Sequence, residues 1–203
     1  LACSLRVRGH QWGIESHGTH HVISLYADDA LIYLCDPRTS LPDLMLLLDS
    51  FGTISGLKVN WAKSCVYPLR PTPAPLRIYN HPTRLKWEYD TFRYLGIQVY
   101  HSDADLLEGN VYKTLRSTRS SLRFWASLPL SPVGRISICK MLILPRFLYH
   151  FSALPILIPK KFFTDLHILI GELIWGSGRH RVALSKLHAP TDKGSLAVPN
   201  FEL

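Results

Sequence analysis

Short apolar runs rich in β-branched and aromatic residues dominate the first hundred positions of the chain. Runs of this kind, separated by Gly, Pro, Asn and Ser, are typical of β-strands. They predict strands at 5–14, 20–34, 57–60, 64–67, 85–87 and 92–100. Five prolines in the stretch 68–84 predict an irregular loop there.

One helix is predicted among these strands. Thr39 or Ser40 is a suitable cap, Pro42 suits the first turn, and Gly56 suits the position after the last turn. Apolar residues at helical spacing predict one buried face, formed by Leu44, Leu47, Leu48, Phe51 and Ile54.

From residue 105 onward the spacing of apolar residues becomes helical. Helices are predicted at 105–126 and 160–175. Between them, Ser131 is the cap of a helix that is expected to kink or break at Pro145. The first helix has a predicted buried side, formed by Val111, Leu115, Leu122 and Trp125. Strands with one packed helix, followed by helices, indicate the α+β class with two subdomains.

The composition is that of a folded protein. The chain has 203 residues, of which 47% are hydrophobic and 11% aromatic, enough for one sizeable core or two small ones. Its most apolar run, 141–163, contains Arg146, His150 and several prolines, which disfavours a membrane span. The four cysteines are scattered, so Cys35 and Cys139 are expected to be buried free thiols. Without a recognisable signal peptide, a cytosolic or nuclear and not a secreted protein is expected.

Charge is unevenly distributed along the chain. The formal net charge of +8 divides into −2 over residues 1–60 and +10 over residues 61–203. An acidic site followed by a basic body suits an enzyme that binds a polyanion and a metal, the alternative being simple solvation of helix surfaces. Residues 179–181 form one basic cluster, and the predicted helix at 105–126 has a basic stripe, formed by Lys113, Arg116, Arg119 and Arg123. The stripe is expected either to follow a phosphate backbone or to face solvent.

Two adjacent carboxylates, Asp28 and Asp29, interrupt an apolar run. The pattern predicts strand, tight turn and strand, with the acid pair at the turn and buried apolar residues on both flanks. Adjacent carboxylates repel each other unless a cation lies between them, and Mg²⁺ is bound by one or two carboxylates together with substrate phosphates. The pair is therefore a candidate metal site; the alternative is a surface hairpin that happens to contain two aspartates.

The segment Tyr26-Ala27-Asp28-Asp29 on an apolar hairpin resembles the active-site motif of reverse transcriptases. Further segments resemble, in the same order, the polymerases of LINE-type non-LTR retrotransposons. They are 48–64 (the next palm motif), 92–97 (the primer-grip hairpin), 132–146 (the thumb), and 173–175 with 193–201 (the stretch after the thumb). Together these segments extend over nearly the whole chain.

The resemblance implies three regions: a partial polymerase palm, with an antiparallel sheet and a packed helix, at 1–103; a helical thumb at 104–178; and the start of a connector at 179–203. It also implies that the parent enzyme adds nucleotides from deoxynucleoside triphosphates to a DNA primer on an RNA template, using Mg²⁺ or Mn²⁺. By the same resemblance, Asp28 and Asp29 are metal ligands and catalytic residues.

Roles for other residues follow from the resemblance. Tyr26 and Ala27 would support the active site. Lys63, or less strongly Lys58, would protonate the departing pyrophosphate, with a surface lysine as the alternative. The turn that steadies the primer would be formed by Tyr94, Leu95 and Gly96.

Polymerases of this family also use an aspartate from an upstream palm strand, and fingers, which these 203 residues do not include. By themselves the residues are therefore expected to be inactive, with the metal bound only in the full-length enzyme. The main alternative is a decayed remnant of a retroelement that at most binds nucleic acid through its basic helices. A weaker alternative is a protein that binds a membrane surface through 141–163.

Overall fold

The computed structural model describes residues 1–8, 12–70, 85–176 and 182–201, and these residues form an α+β structure. The chain divides into two compact units. The first holds the described residues before Pro68 together with 85–88, and the second holds the others. Residues 89–103, which the resemblance assigns to a palm, thus belong to the same compact unit as the helices that follow.

The strands of the first unit form separate pairs. β1 (Ile14–Ser16) is antiparallel to β2 (Thr19–His21), and β3 (Ile23–Tyr26) is antiparallel to β4 (Asp29–Ile32). A third, shorter pair is parallel and consists of β5 (Cys65–Val66) and β6 (Lys86–Trp87). Within the described residues the strands therefore form two-stranded ladders and no continuous antiparallel sheet.

Two helices supply most of the core of the first unit, α1 (Ala2–Arg8) and α2 (Pro37–Ser55). The base of the β3–β4 hairpin packs against this core through Ile23 and Ile32. The buried residues at its centre are Leu5, Trp12, Leu41 and Leu44.

Two strand predictions in the first unit are wrong. Residues 2–8 are helical and do not begin a strand, because Leu1 and Leu5 lie one helical turn apart and Leu5 is fully buried. Residues 57–60 form no strand, and most of them are exposed. The strand at 64–67 is confirmed only at Cys65–Val66.

Helix α2 begins earlier and buries less than predicted. It begins at Pro37 rather than after Thr39 or Ser40, because a proline suits the first helical position, where no N–H is needed. The predicted stripe is buried or partly buried from Leu44 through Phe51, but Ile54 near the end is 87% exposed. Gly56 follows the last turn with a φ of +72°, as its position predicts.

The second unit begins with a β-hairpin and continues with helices. β7 (Thr91–Tyr94) is antiparallel to β8 (Ile97–Tyr100), which confirms the strand prediction at 92–100. A continuous helical stretch follows, consisting of α3 (Asp103–Leu106), a first π-helical turn (Leu107–Tyr112) and α4 (Lys113–Ala126). The later elements are α5 (Pro132–Ile138), a second π-helical turn (Cys139–Ile143), α6 (Leu144–Ala153), α7 (Lys160–Trp175), α8 (Leu184–Leu187) and a 3₁₀ turn (Thr191–Lys193).

One apolar core holds the second unit together. Phe147 and Phe162 are fully buried at its centre, with ring centroids 5.4 Å apart in an edge-to-face arrangement. The C-terminal segment closes this core through Val198 and Phe201. The predicted helical face is confirmed, since Val111, Leu115 and Leu122 are buried and Trp125 is partly buried.

Helix predictions in this unit are largely confirmed. Helices lie at 103–126 and at Lys160–Trp175, and Ser131 caps α5 by accepting a hydrogen bond from the Gly134 N–H at 3.2 Å. The regular helix is interrupted just before Pro145, as predicted: the π-helical turn ends at Ile143, and Pro145 lies in the first turn of α6. A wider turn there accommodates a proline, which has no N–H to donate.

No helix within the described ranges is long and apolar enough to cross a membrane. None of the four cysteines forms a disulfide; Cys139 is buried, as predicted, whereas Cys35 is exposed because it follows the end of β4. Most of the predicted loop at 68–84 lies outside the described residues.

Candidate functional site

The acid pair lies at the tip of the β3–β4 hairpin. Tyr26 and Asp29 form the last pair of the ladder, so Ala27 and Asp28 make a two-residue loop. Ala27 has a φ of +52°, in the left-handed region that residues other than glycine, asparagine and aspartate seldom adopt. An alanine in this region is strained by about 1 kcal/mol, and strain of this kind is concentrated at functional sites.

Both carboxylates at this tip face solvent. Asp28 and Asp29 are exposed, and in the described part of the chain neither has a hydrogen bond or an ion pair. The predicted burial on both flanks is wrong near the tip, because Leu25 is 52% and Tyr26 65% exposed. Only the base of the hairpin packs on the core, so the two strands extend beyond it.

The donor set at the tip fits a divalent cation. Two neighbouring carboxylates without protein partners are oxygen ligands of the kind that Mg²⁺ takes together with substrate phosphates. Among the described residues, no group of three or more His, Cys, Asp or Glu side chains that could hold a metal is found. A cation bound by Asp28 and Asp29 would therefore need further ligands beyond the described His, Cys, Asp and Glu side chains.

The candidate proton donors lie away from the tip in sequence and local structure. Lys63 lies in a turn at 61–63, where its N–H bonds to the Asn60 carbonyl at 3.1 Å, and Lys58 lies in irregular chain after α2. Both side chains are exposed. In the described structure no hydrogen bond or ion pair joins either lysine to Asp28 or Asp29, so the role of Lys63 remains a prediction.

A second candidate site lies within the second unit. It is a cavity of about 460 Å³, which we call the basic groove, between the β7–β8 hairpin and the helices. The groove is lined from the hairpin by Arg93, Gly96 and Gln98, from the first π-helical turn by Gly109 and Asn110, from α4 by Lys113, Thr114 and Ser117, and from α6 by Arg146, Tyr149 and His150.

The charged residues of this lining are all cationic: Arg93, Lys113 and Arg146. Within the described residues no carboxylate lines the groove, and none of the three cations has an ion-pair partner. His150 adds an imidazole whose Nε2 lies 2.9 Å from the Thr114 hydroxyl oxygen, and burial lowers the pKa of His150. The groove is therefore suited to an anion, and its cations and hydroxyl groups are donors that can bind a phosphate.

Of the three predicted primer-grip residues, one lines the groove and two do not. Leu95 and Gly96, with φ of +46° and +82°, form the tight turn between β7 and β8, as in a type I′ hairpin. The Tyr149 hydroxyl donates a hydrogen bond to the Leu95 carbonyl and fixes this turn to α6. Gly96 lines the groove, whereas Tyr94 and Leu95 do not.

The predicted basic stripe is confirmed as an exposed face of the helix. Lys113, Arg116, Arg119 and Arg123 are all exposed. Arg116 forms an ion pair with Glu108 at 2.5 Å, which leaves Lys113, Arg119 and Arg123 as the available cations of the stripe. Of these, Lys113 also lines the basic groove. The basic cluster at 179–181 lies outside the described residues.

Sequence analysis missed several residues of the groove. Arg93 and Arg146 lie inside segments that carry the resemblance, but neither was singled out. Gly109 and Asn110 are poor helix formers in the middle of a predicted helix, and that local conflict is a signal of a special role. Thr114 and His150 give no such signal.

A scan of the chain against protein-family models finds no match.

Proposed function

We propose that this chain contributes the active-site hairpin and the thumb of a reverse transcriptase of the LINE-type non-LTR class. The observation that carries this proposal is the Tyr26–Asp29 hairpin, whose strained two-residue turn presents two exposed carboxylates free of described partners. The ordered motifs along the sequence support the family assignment, and the hairpin supports the metal site because two adjacent, exposed carboxylates lie at one turn.

The chemistry of this proposal is nucleotidyl transfer to a primer 3′-hydroxyl. When bound, Mg²⁺ neutralises the negative charge that develops on the transferred phosphate. Asp28 and Asp29 would hold the cation, Ala27 would leave room for the primer end because its side chain is small, and Tyr26 would support the active site. Lys63 remains the candidate donor of a proton to the pyrophosphate.

The basic groove supports the same proposal from the second unit. A polymerase must hold the template and primer through their backbones, since it copies any sequence. Three cations and several hydroxyl groups, with no lining carboxylate in the described structure, provide contacts of that kind. Arg119 and Arg123 extend the cationic surface along α4.

Catalysis is tested by primer extension on an RNA template. Because the described residues hold only part of a metal site, an upstream palm segment of a reverse transcriptase of this class is joined ahead of residue 1. Asp28→Asn and Asp29→Asn are each expected to lower the extension rate about a hundredfold or more, because each removes a metal ligand. Asp43→Asn is the matched control, since it neutralises an exposed carboxylate on α2 and is expected to leave the rate unchanged.

Equal extension by the three variants would refute the assignment of the site. Binding of Mn²⁺ to the protein that carries the upstream palm segment, measured by water-proton relaxation, gives an independent result. The affinity is expected to be weak and to be lost in the Asp28→Asn, Asp29→Asn double variant but not in Asp43→Asn.

Nucleic-acid binding without catalysis is the second candidate function, and the basic groove favours it. The groove lies within one compact unit and does not include the carboxylate pair. Nucleic-acid binding would be the function on its own if the chain binds an RNA–DNA duplex but the protein joined to the upstream palm segment never incorporates a nucleotide.

A further inference from the structure

Asn110 is one of very few buried polar residues in the described chain, with only 4% of its surface exposed. Its carboxamide makes three hydrogen bonds. Oδ1 accepts from the Gln98 N–H at 2.8 Å, while Nδ2 donates to the Gln98 carbonyl at 2.7 Å and to the Leu106 carbonyl at 2.9 Å. Both amide hydrogens and the amide oxygen are therefore used.

The two bonds to Gln98 reproduce the pairing of a neighbouring strand. In an antiparallel ladder, residues of a non-hydrogen-bonded pair direct their N–H and C=O groups away from the partner strand. Gln98 is paired with Arg93, yet its backbone groups bond to Asn110, so they lie on the open edge of β8. The carboxamide thus occupies the place that another strand would take.

The first π-helical turn makes this approach possible. Asn110 lies within it, and the preceding Gly109 faces the ring of Tyr100 on β8. A Cβ at Gly109 would lie 2.6 Å from Cζ of Tyr100, a distance that real Cβ atoms do not show. The absence of a side chain at Gly109 lets the hairpin lie directly against the helical turn.

This contact joins the two sides of the basic groove. Arg93 and Gly96 enter the groove from the hairpin, and Lys113 and Thr114 enter it from the turn of helix that follows Asn110. The bond from Tyr149 to Leu95 and the burial of Ile97 also attach this hairpin to the helices. The carboxamide is bonded directly to the backbone of Gln98, the ladder partner of Arg93, and so links Arg93 to the helical turn just before Lys113.

We propose that Asn110 is the positioning residue of the basic groove: by pairing with the backbone of Gln98 it holds Arg93 at the distance from Lys113 that a phosphate backbone requires. This inference rests on the proposed nucleic-acid role of the groove. Asn110 acts through the residues it positions and makes no catalytic contact.

Three variants test the proposal. Asn110→Leu has a similar volume but makes no hydrogen bond. Asn110→Asp places a carboxylate opposite two carbonyl oxygens, where burial and repulsion raise its pKa, and once protonated it again accepts from the Gln98 N–H and donates to the Gln98 carbonyl. Ser117→Asp is the matched control, because it adds the same charge to the groove lining at an exposed position that makes no bond to the hairpin.

Two measurements are made on the 203-residue chain near pH 8 and near pH 5.5: the affinity for a fluorescent RNA–DNA duplex, and the hydrogen-exchange protection of the Gln98 amide. Asn110→Leu is expected to lose Gln98 protection and to bind about tenfold more weakly at both pH values. Asn110→Asp is expected to show both losses near pH 8 and to recover both, relative to wild type, near pH 5.5. Ser117→Asp is expected to weaken binding similarly at both pH values, with Gln98 still protected.

The proposal is overturned if Asn110→Leu exposes the Gln98 amide but binds the duplex as wild type does. It is also overturned if Asn110→Asp does not recover in acid, or if both Asn110 variants unfold at both pH values, since the amide would then be a requirement of the fold alone. If wild type does not bind the duplex while Gln98 remains protected, the proposed function of the groove is what fails.

Discussion

The charge of the basic groove predicts how steeply nucleic-acid binding depends on salt. Each cation that neutralises a phosphate of a duplex contributes about 0.9 to the slope of log affinity against log salt concentration. Five cations line the groove or continue from it along α4: Arg93, Lys113 and Arg146 in the groove, and Arg119 and Arg123 on α4. If all of them contact phosphates, the slope is about −4.5, and binding weakens about 500-fold between 50 and 200 mM salt.

Variants that replace arginine with neutral glutamine measure how much particular cations contribute to this slope. The double variant Arg93→Gln, Arg146→Gln is expected to reduce the slope by about 1.8, so that the same change of salt weakens binding only about 40-fold. Arg116→Gln is the control, because the ion pair with Glu108 already engages this guanidinium and the slope is expected to change less. Affinities are measured by fluorescence anisotropy over a salt series, and circular dichroism verifies that each variant is folded.

The reasoning would be refuted by a slope that is the same in wild type and in the groove variant. In that case the phosphates are contacted elsewhere on the chain. A slope close to zero in wild type would instead mean that the groove does not bind a polyanion, although its lining is positively charged.

Three further predictions concern stability and reactivity. Phe147→Ala removes a ring buried at the centre of the second core and is expected to lower the free energy of unfolding by about 3–5 kcal/mol in urea titrations. Burial lowers the pKa of His150 below 6.5, so the unfolded state binds a proton more readily than the folded state. The free energy of unfolding is therefore expected to fall as the pH drops through about 6.5. In urea titrations over a pH series, His150→Gln should make this fall smaller. Burial raises the pKa of Cys139 to about 12, so this thiol is expected to react with a thiol reagent only after denaturation, whereas the exposed Cys3 and Cys35 react in the native protein. Mass spectrometry of labelled peptides can verify this difference.

Helices were predicted well where their signals are local. The cap at Ser131 and the apolar period of α7 act within one or two turns of the chain, so sequence alone is sufficient for them. Helix α1 was missed because the alternating apolar residues of 5–14 suit a strand, while the burial of Leu5 that favours the helix depends on contacts with α2 and Trp12.

The candidate site was predictable only in part, for a similar reason. The acid turn between β3 and β4 follows from local strand and turn preferences. The exposure of Tyr26 does not follow from these preferences, because strand patterning does not specify how far a hairpin extends past the core on which it packs. The basic groove combines a hairpin, a π-helical turn and α6, and no local pattern indicates that Arg93, Asn110 and Arg146 line one cavity.

The excess of positive charge over residues 61–203 overstates the surface available to phosphates. Arg135, in the segment that resembles a thumb, donates to the Leu173 carbonyl at 2.9 Å near the end of α7, where a cation complements the helix dipole. Lys140 donates to the Leu196 carbonyl at 3.1 Å and ties the C-terminal segment to the core. Such cations are already engaged by backbone oxygens, so adding them to the count would predict a salt slope steeper than the groove can produce. The number of cations that face open groove, rather than the net charge, is therefore the quantity that relates this fold to its affinity for a nucleic acid.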